Sequence, residues 1–296
     1  MKTRIGLIFG GQSDERFVSK QSAIAIKKYI NKQKYSLVEI EITPKANSIA
    51  RLIKNAGKID KALLALHGPG GEDGRIQAVL DLIGIKYNSS GVLASAIAMN
   101  KSLCKEEAKK VGLDVANGRL LIKNSSRPTF KKKCVIKPNN VGSSLGVSIA
   151  NNPNELSLGI KKAFTYDDQV LVEDYIPGKE FTVPVLNGTA LPVVEIIPNQ
   201  SKFFDYKAKY EPGGSEEIVP ARLNASYTKK IQELAVAIHK SLNCKGLTRS
   251  DFIFSNGKFY FLEINTIPGM TENSLAPKSA QAAGMSFTQF IDKIIG

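Results

Sequence analysis

Two apolar runs, Arg249 to Ser255 and Lys258 to Asn265, meet at Asn256-Gly257 and carry Asp251, Glu263 and Asn265 within them. Asn-Gly between such runs is a strong hairpin signal. Phe252, Phe254, Phe259, Phe261 and Ile264 leave little of this ribbon for solvent, so the carboxylates are costly unless a cation pairs with them. Glu263 and Asn265 are two apart and share a sheet face. Whether Asp251 joins them is a question of register. A two-residue loop pairs Asp251 with Leu262 and sends Glu263 to the opposite face, whereas a three-residue loop brings Asp251 and Glu263 to one face. Three hard oxygen donors together suit Mg²⁺ held between protein and phosphate. An edge hairpin with polar residues facing water fits so apolar a ribbon poorly. We therefore expect the Asn256-Gly257 connection to depart from a plain two-residue turn.

The whole chain of 296 residues is long enough for two or three domains with a well-buried core. Net charge is +14. Lysine outnumbers arginine 33 to 8 and is dispersed, with Lys131-Lys132-Lys133 the longest run. A nucleic-acid binder more often shows a clustered stripe with interleaved aromatics, so the charge reads as a solvated surface that also gathers anionic substrates. Cys104, Cys134 and Cys244 have no metal or redox spacing and read as buried thiols in a reducing compartment. The apolar run after Lys2 and Arg4 is too short for a signal peptide, and no stretch is long enough to span a bilayer. These features imply a soluble, cytoplasmic protein with no membrane partner.

Ile5 to Phe9 reads as a strand buried on both faces. A helical pattern from Val18 to Asn31, a strand from Tyr35 to Ile42, a helix from Asn47 to Ala56 and a strand from Ala62 to Leu66 follow. Such alternation implies a parallel sheet, whose ligands sit beyond the carboxyl ends of the strands. Two loops lie there: Gly10 to Glu15, and His67-Gly-Pro-Gly-Gly-Glu-Asp-Gly74. Neither is a Walker loop or a full dinucleotide fingerprint. Glu15 also suits a helix cap, and His67 a simple turn. Further on, Lys137-Pro-Asn-Asn-Val-Gly-Ser-Ser-Leu-Gly146 follows a strand as a plausible phosphate cradle. Asn152-Pro153 starts a helix, Asn187-Gly188 joins two antiparallel strands, and Asn224 to Leu242 is a helix with His239 on its surface. A polar segment from Pro198 to Glu217 is long for a compact domain and reads as a lid.

These motifs, in this order, resemble the D-alanine–D-alanine ligases of the ATP-grasp superfamily over nearly the whole chain. The carrying stretches are Gly10 to Ser19, Leu66 to Gly74, Lys137 to Gly146, Asp205 to Tyr210, and Arg249 to Thr271. The resemblance implies an α/β fold, α+β in its ATP-binding part, with three domains and an N-terminal parallel-sheet, Rossmann-like unit. The boundaries expected are 1–88 for the substrate domain, 89–173 for the central ATP-grasp part, and 174–296 for the C-terminal ATP-grasp and metal-binding part.

By the family pattern, Lys101 and Lys137 contact ATP phosphates beneath a loop carrying Ser143 and Ser144, while Lys209 reaches them from the long segment. Glu173 and Ile176 meet adenine, and Glu180 the ribose. Asp251, Glu263 and Asn265 match ligands of two Mg²⁺ (or Mn²⁺) ions. Arg249 and the Gly269 N–H match the oxyanion donors. Glu15 receives the first D-alanine's ammonium and forms a triad with Ser143 and Tyr210. His67 belongs to the substrate site, and Ser274 with the Leu275 backbone binds the second carboxylate. A homodimer is implied as well. The family's reaction joins two D-alanines through an acyl phosphate, with a ligase using D-lactate or D-serine as the alternative. Val141, Pro69 and Ser250 depart from the usual pattern, and Ser250 stands where an apolar residue is usual.

Overall fold

The structure, a computed structural model, describes residues 1–44, 47–199 and 213–296. Its first sheet contains β1 (Thr3–Gly10), β2 (Tyr35–Ile42), β3 (Lys61–Leu64) and β4 (Lys86–Tyr87), in the order β2-β1-β3-β4 and parallel throughout. The connections carry α1 (Arg16–Tyr29), α2 (Ser48–Asn55) and α3 (Arg75–Leu82). β1 is apolar from Ile5 to Phe9 because it is an inner strand, with Ile5, Leu7 and Ile8 fully buried. Sequence patterns do not single out α3: it runs for eight residues behind a glycine-rich loop.

Next come α4 (Val92–Met99), α5 (Lys101–Lys110), β5 (Asp114–Val115), β6 (Gly118–Ile122), β7 (Cys134–Pro138), β8 (Ser148–Ala150), α6 (Pro153–Ala163) and β9 (Gln169–Asp174). A small antiparallel sheet of order β6-β9-β7-β8 packs Leu121, Ile136 and Val170 against Leu156 and Ile160 of α6. Asn152 caps α6 by accepting from the Glu155 N–H, with Pro153 in the first turn.

The large sheet is built from β10 (Lys179–Leu186), β11 (Thr189–Ala190), β12 (Val194–Pro198), β13 (Ser215–Ile218), β14 (Leu247–Ser255) and β15 (Lys258–Asn265), with β5 added at its edge. α7 (Ala225–Ser241) lies between β13 and β14 in the chain, and α8 (Leu275–Ala282) and α9 (Phe287–Ile295) close it. Ala94, Ala98, Cys104 and Ala108 of α4 and α5 share a core with Phe181, Phe252, Phe259 and Phe261 of this sheet. All three cysteines are buried and unbridged. The polar segment expected over 198–217 is in part a strand, since β13 pairs with β12. Residues 200–212 of that segment, with Lys209 and Tyr210, lie outside the described residues. His239 is not a surface residue. It sits on the buried face of α7, and its Nδ1 is 2.8 Å from the Thr248 hydroxyl.

The ribbon register corrects one expectation and keeps its consequence. Ser255 pairs with Lys258, so Asn256 and Gly257, at φ 49° and 77°, form a plain two-residue turn. The extra residue lies instead at the far end of the ribbon. Phe252 pairs with Phe261, but Asp251 pairs with Glu263, leaving Leu262 as a β-bulge. Beyond it Arg249 pairs with Asn265. Directly opposed residues share a face, so Asp251, Glu263, Arg249 and Asn265 all project to the same side, away from the phenylalanine core.

Candidate active site

A cleft of about 310 Å³ opens where the three sheets meet. Ten of the anticipated residues line it: Glu15, His67, Lys101, Ser143, Arg249, Glu263, Asn265, Gly269, Ser274 and Leu275. Asp251 lies beside them through its pairing with Glu263. Lys137, Ser144, Glu173, Ile176 and Glu180 fall outside this cleft, toward the small sheet and the start of β10.

Glu15 occupies the N-cap position of α1, yet its carboxylate makes no cap bond. It accepts instead from the Ser143 hydroxyl, 128 residues away. Both residues are buried, which favours a charge-assisted bond in low dielectric. Ser143 and Ser144 hold φ of 52° and 58°, a left-handed conformation that non-glycine residues rarely adopt. The glycine-serine loop is thus bent against its intrinsic preference to bring Ser143 to Glu15.

Each carboxylate of the ribbon has its own cation. Arg249 donates to Asp251 through Nε and a terminal nitrogen, both at 2.9 Å. Thr182 of β10 donates to the same carboxylate at 2.5 Å. Glu263 lies 3.3 Å from the Lys101 ammonium, which also donates to the Val141 carbonyl. Asn265 Oδ1 accepts from the Ile267 N–H. Among the described residues, no group of three His, Cys, Asp or Glu gathers as a metal cage. Two carboxylates and an amide oxygen on one face fit a hard divalent cation whose shell phosphate oxygens complete.

At the other side of the cleft, Ser274 is the N-cap residue of α8. Its hydroxyl accepts from the Thr271 N–H at 3.1 Å and shares a 2.7 Å hydrogen bond with Thr271 Oγ1. The first-turn N–H groups of a helix suit a carboxylate. His67 is 3% exposed, and both ring nitrogens are engaged, Nδ1 with the Ile267 carbonyl and Nε2 with Ser22. Ser22 also accepts from the Met270 N–H, so this network ties α1 and the 267–270 loop together around Gly269. Burial opposes charge on His67, but the Glu72 carboxylate 3.7 Å from Nδ1, with Glu15 nearby, raises its pKa overall.

Beneath the glycine-serine loop, Glu173 of β9 is 4% exposed and lies between two lysines. Lys137 of β7 reaches one carboxylate oxygen at 2.7 Å, and Lys105 of α5 the other. Burial opposes the charge on Glu173, yet Lys137 and Lys105 together hold its pKa down at about 2. Sequence reasoning did not find Lys105. The available signal was its spacing, four residues after Lys101 on an expected helix, which puts both ammoniums on one face.

The three-sheet architecture is the three-domain ATP-grasp fold. Residues 118–296 match the model of the family described as "D-ala D-ala ligase C-terminus". The D-alanine–D-alanine ligase of Syntrophobacter fumaroxidans is 43% identical over 305 residues, covering 99% of this chain and 97% of that one. The crystal structure of the Bacillus anthracis D-alanine–D-alanine ligase complexed with ATP aligns with a TM-score of 0.87 at 34% identity, covering 99% of this chain and 96% of that one. The VanG D-Ala:D-Ser ligase of Enterococcus faecalis aligns at 0.84 and 32%, over 100% and 99% of the two chains. The chain belongs to the D-alanine–D-alanine ligase family.

Proposed function

We propose that this cleft is where two D-alanine molecules and the γ-phosphate of ATP meet. The enzyme is an ATP-dependent D-alanine–D-alanine ligase that makes the dipeptide for peptidoglycan precursors. The supporting observation is that one cleft is lined both by a buried carboxylate, Glu15, and by the N-terminus of α8 at Ser274. These are receptors for an ammonium and a carboxylate, the two charges of an amino acid.

In this reading Glu15 holds the ammonium of the first D-alanine. The carboxylate of that D-alanine takes the γ-phosphoryl group from ATP, giving ADP and a D-alanyl phosphate. Ser274 and the Leu275 N–H orient the second D-alanine, whose ammonium gives up a proton to solvent and whose amine then attacks the acyl carbon. Arg249 and the Gly269 N–H face the oxyanion, and expulsion of phosphate leaves the new amide. Lys101 and Lys137 neutralise phosphate charge, with Ser144 in the loop above. Glu173, Ile176 and Glu180 serve the nucleoside. Lys209 and Tyr210 have roles by family pattern, at phosphate and in a triad with Glu15 and Ser143. Family members use divalent ions with ATP, and two Mg²⁺ (or Mn²⁺) ions held by Asp251, Glu263 and Asn265 supply Lewis-acid charge neutralisation.

The three units follow the divisions 1–88, 89–173 and 174–296. Among the described residues no helix is long and apolar enough to cross a membrane. Unbridged buried cysteines support the cytoplasm as the compartment. Exposed Leu82, Val92 and Leu93 on neighbouring α3 and α4 support a homodimer, testable by light scattering.

The deciding experiment compares phosphate release from ATP with D-alanine, L-alanine, D-serine and D-lactate, with products identified. D-Alanine alone should give rapid release and the dipeptide. A mixed product dominating when D-serine or D-lactate accompanies D-alanine would transfer the enzyme to the other branch, which the likeness to a D-Ala:D-Ser ligase makes a real alternative.

A further inference from the structure

The Lys137–Glu173 pair needs no third member to be neutral. Lys105 nevertheless enters the same buried pocket, 4% exposed, and bonds the Glu173 oxygen that Lys137 leaves unused. A second ammonium on that one carboxylate would be an excess positive charge away from water, unfavourable unless an anion arrives to match it.

The location of the excess is informative. Lys101 and Lys105 lie one turn apart on α5, so one helix face sends one lysine to Glu263 of the large sheet and the next to Glu173 of the small sheet. The helix start is pinned to the end of β7. The Lys101 N–H donates to the Asn139 carbonyl, the Ser102 N–H to Asn139 Oδ1, and Asn139 itself is fully buried. Lys105 is therefore held on a rigid element and Lys137 on a strand, with Glu173 between them.

We propose that Lys105 is a positioning residue of the nucleotide site: it keeps Glu173 paired and oriented when Lys137 leaves that carboxylate for phosphate. This rests on the assignment of Lys137 and Glu173 to the nucleotide site. Without Lys105, moving Lys137 to phosphate would strand a buried carboxylate beside an incoming anion. With it, Lys137 exchanges one anionic partner for another while Glu173 remains satisfied.

The electrostatics of the pocket fit this exchange. Burial and the neighbouring Lys137 charge lower the Lys105 pKa to about 7, against the opposing pull of Glu173. The groups facing it are Glu173 on β9, Lys137 on β7 and the adjacent Cys104 thiol on its own helix. Phosphate arriving at Lys137 adds negative charge and favours protonated Lys105, so nucleotide binding near neutral pH should be accompanied by proton uptake.

The test measures binding of Mg-ADP and of a non-hydrolysable Mg-ATP analogue by calorimetry, in buffers of different ionisation enthalpy, for the wild type, Lys105→Met, Lys105→Arg and Lys137→Met. Thermal melts accompany each. Lys105→Met should fold, bind nucleotide roughly tenfold or more weakly, and lose the proton uptake seen near pH 7.5. Its KM for ATP should rise more than its KM for D-alanine, and Lys105→Arg should recover part of the affinity. Lys105→Met with nucleotide affinity within twofold of wild type would overturn the inference. So would binding by the wild type without proton uptake, a result that does not depend on any variant folding. Lys137→Met binding nucleotide as well as wild type would instead overturn the underlying placement of the nucleotide, which separates the two failures.

Discussion

Asp251 lies directly opposite Glu263 across the hairpin, although the hairpin closes with Ser255 opposite Lys258. Those two pairings are incompatible in a regular ribbon, and the single extra residue Leu262 reconciles them. The bulge lets a standard Asn-Gly turn coexist with a carboxylate pair on the cleft side and phenylalanines on the core side.

That pairing predicts different behaviour for the two carboxylates. Asp251 is held by Arg249 and Thr182, and Glu263 faces Lys101. Each negative charge is already matched, so removing one relieves little repulsion. Asp251→Asn should abolish turnover and also destabilise the fold by roughly 2–4 kcal/mol, because it breaks the largely buried Arg249–Asp251 ion pair. Glu263→Gln should abolish turnover at a smaller stability cost, about 1–2 kcal/mol, since Glu263 is partly solvated and the buried Lys101 keeps its bond to the Val141 carbonyl. Turnover at saturating Mg²⁺ and urea denaturation check both. Near-normal turnover of either variant would contradict the metal assignment, and equal destabilisation would contradict the difference in pairing.

Ser250 carries a liability on the other face of β14. It is fully buried, and its hydroxyl has no hydrogen-bond partner among the described residues. Ser250→Ala removes that group without adding volume. We expect a stability gain of about 1 kcal/mol with turnover unchanged. A melting temperature lowered by the substitution would mean that the hydroxyl is satisfied in solution.

The parts legible in sequence are those fixed locally. The apolar run Ile5 to Phe9 specified a strand covered on both faces, Asn152-Pro153 and Asn224 marked helix starts, and the glycine-rich loops declared where ligands would sit. What escaped depends on distant partners. Nothing local marks Leu262 as a bulge, because the cross-strand pairing alone decides which residue is extra. His239 looked like one more polar residue on an amphipathic helix, and only the packing of α7 on β14 buries it against Thr248. Lys105 looked like one of many lysines in a basic chain until the small sheet placed Glu173 beside it.

His239 gives stability a pH dependence. Burial, with a smaller contribution from Lys240, lowers its pKa from 6.5 to about 4. The folded-state value lies below the unfolded one, so the unfolded chain takes up a proton first as pH falls. The contribution is complete above about pH 6.5 and is lost as pH falls toward 4. His67, whose pKa is raised, works in the opposite sense, so the difference between wild type and His239→Gln isolates the effect. Relative to the variant, wild type should lose roughly 1–3 kcal/mol between pH 7 and pH 4. A difference that stays constant across that range would show that His239 is not held neutral.

Ser143 separates geometry from chemistry. Its φ of 52° costs a non-glycine residue about 1 kcal/mol, while its bond to the buried Glu15 carboxylate contributes roughly 1.5–3 kcal/mol. Ser143→Ala loses the bond and keeps the backbone penalty. Ser143→Gly loses the bond but is released from the penalty, less the extra freedom glycine gives the unfolded chain. Stability should therefore fall in the order wild type, Ser143→Gly, Ser143→Ala. Turnover should drop by a similar factor in both variants, roughly tenfold or more, because each leaves Glu15 without the hydroxyl that orients it toward the ammonium. Melts and steady-state rates on the three proteins are sufficient. If alanine proved as stable as glycine, the left-handed backbone would not be stored strain, and if either variant kept full turnover, the Glu15–Ser143 bond would serve the fold alone.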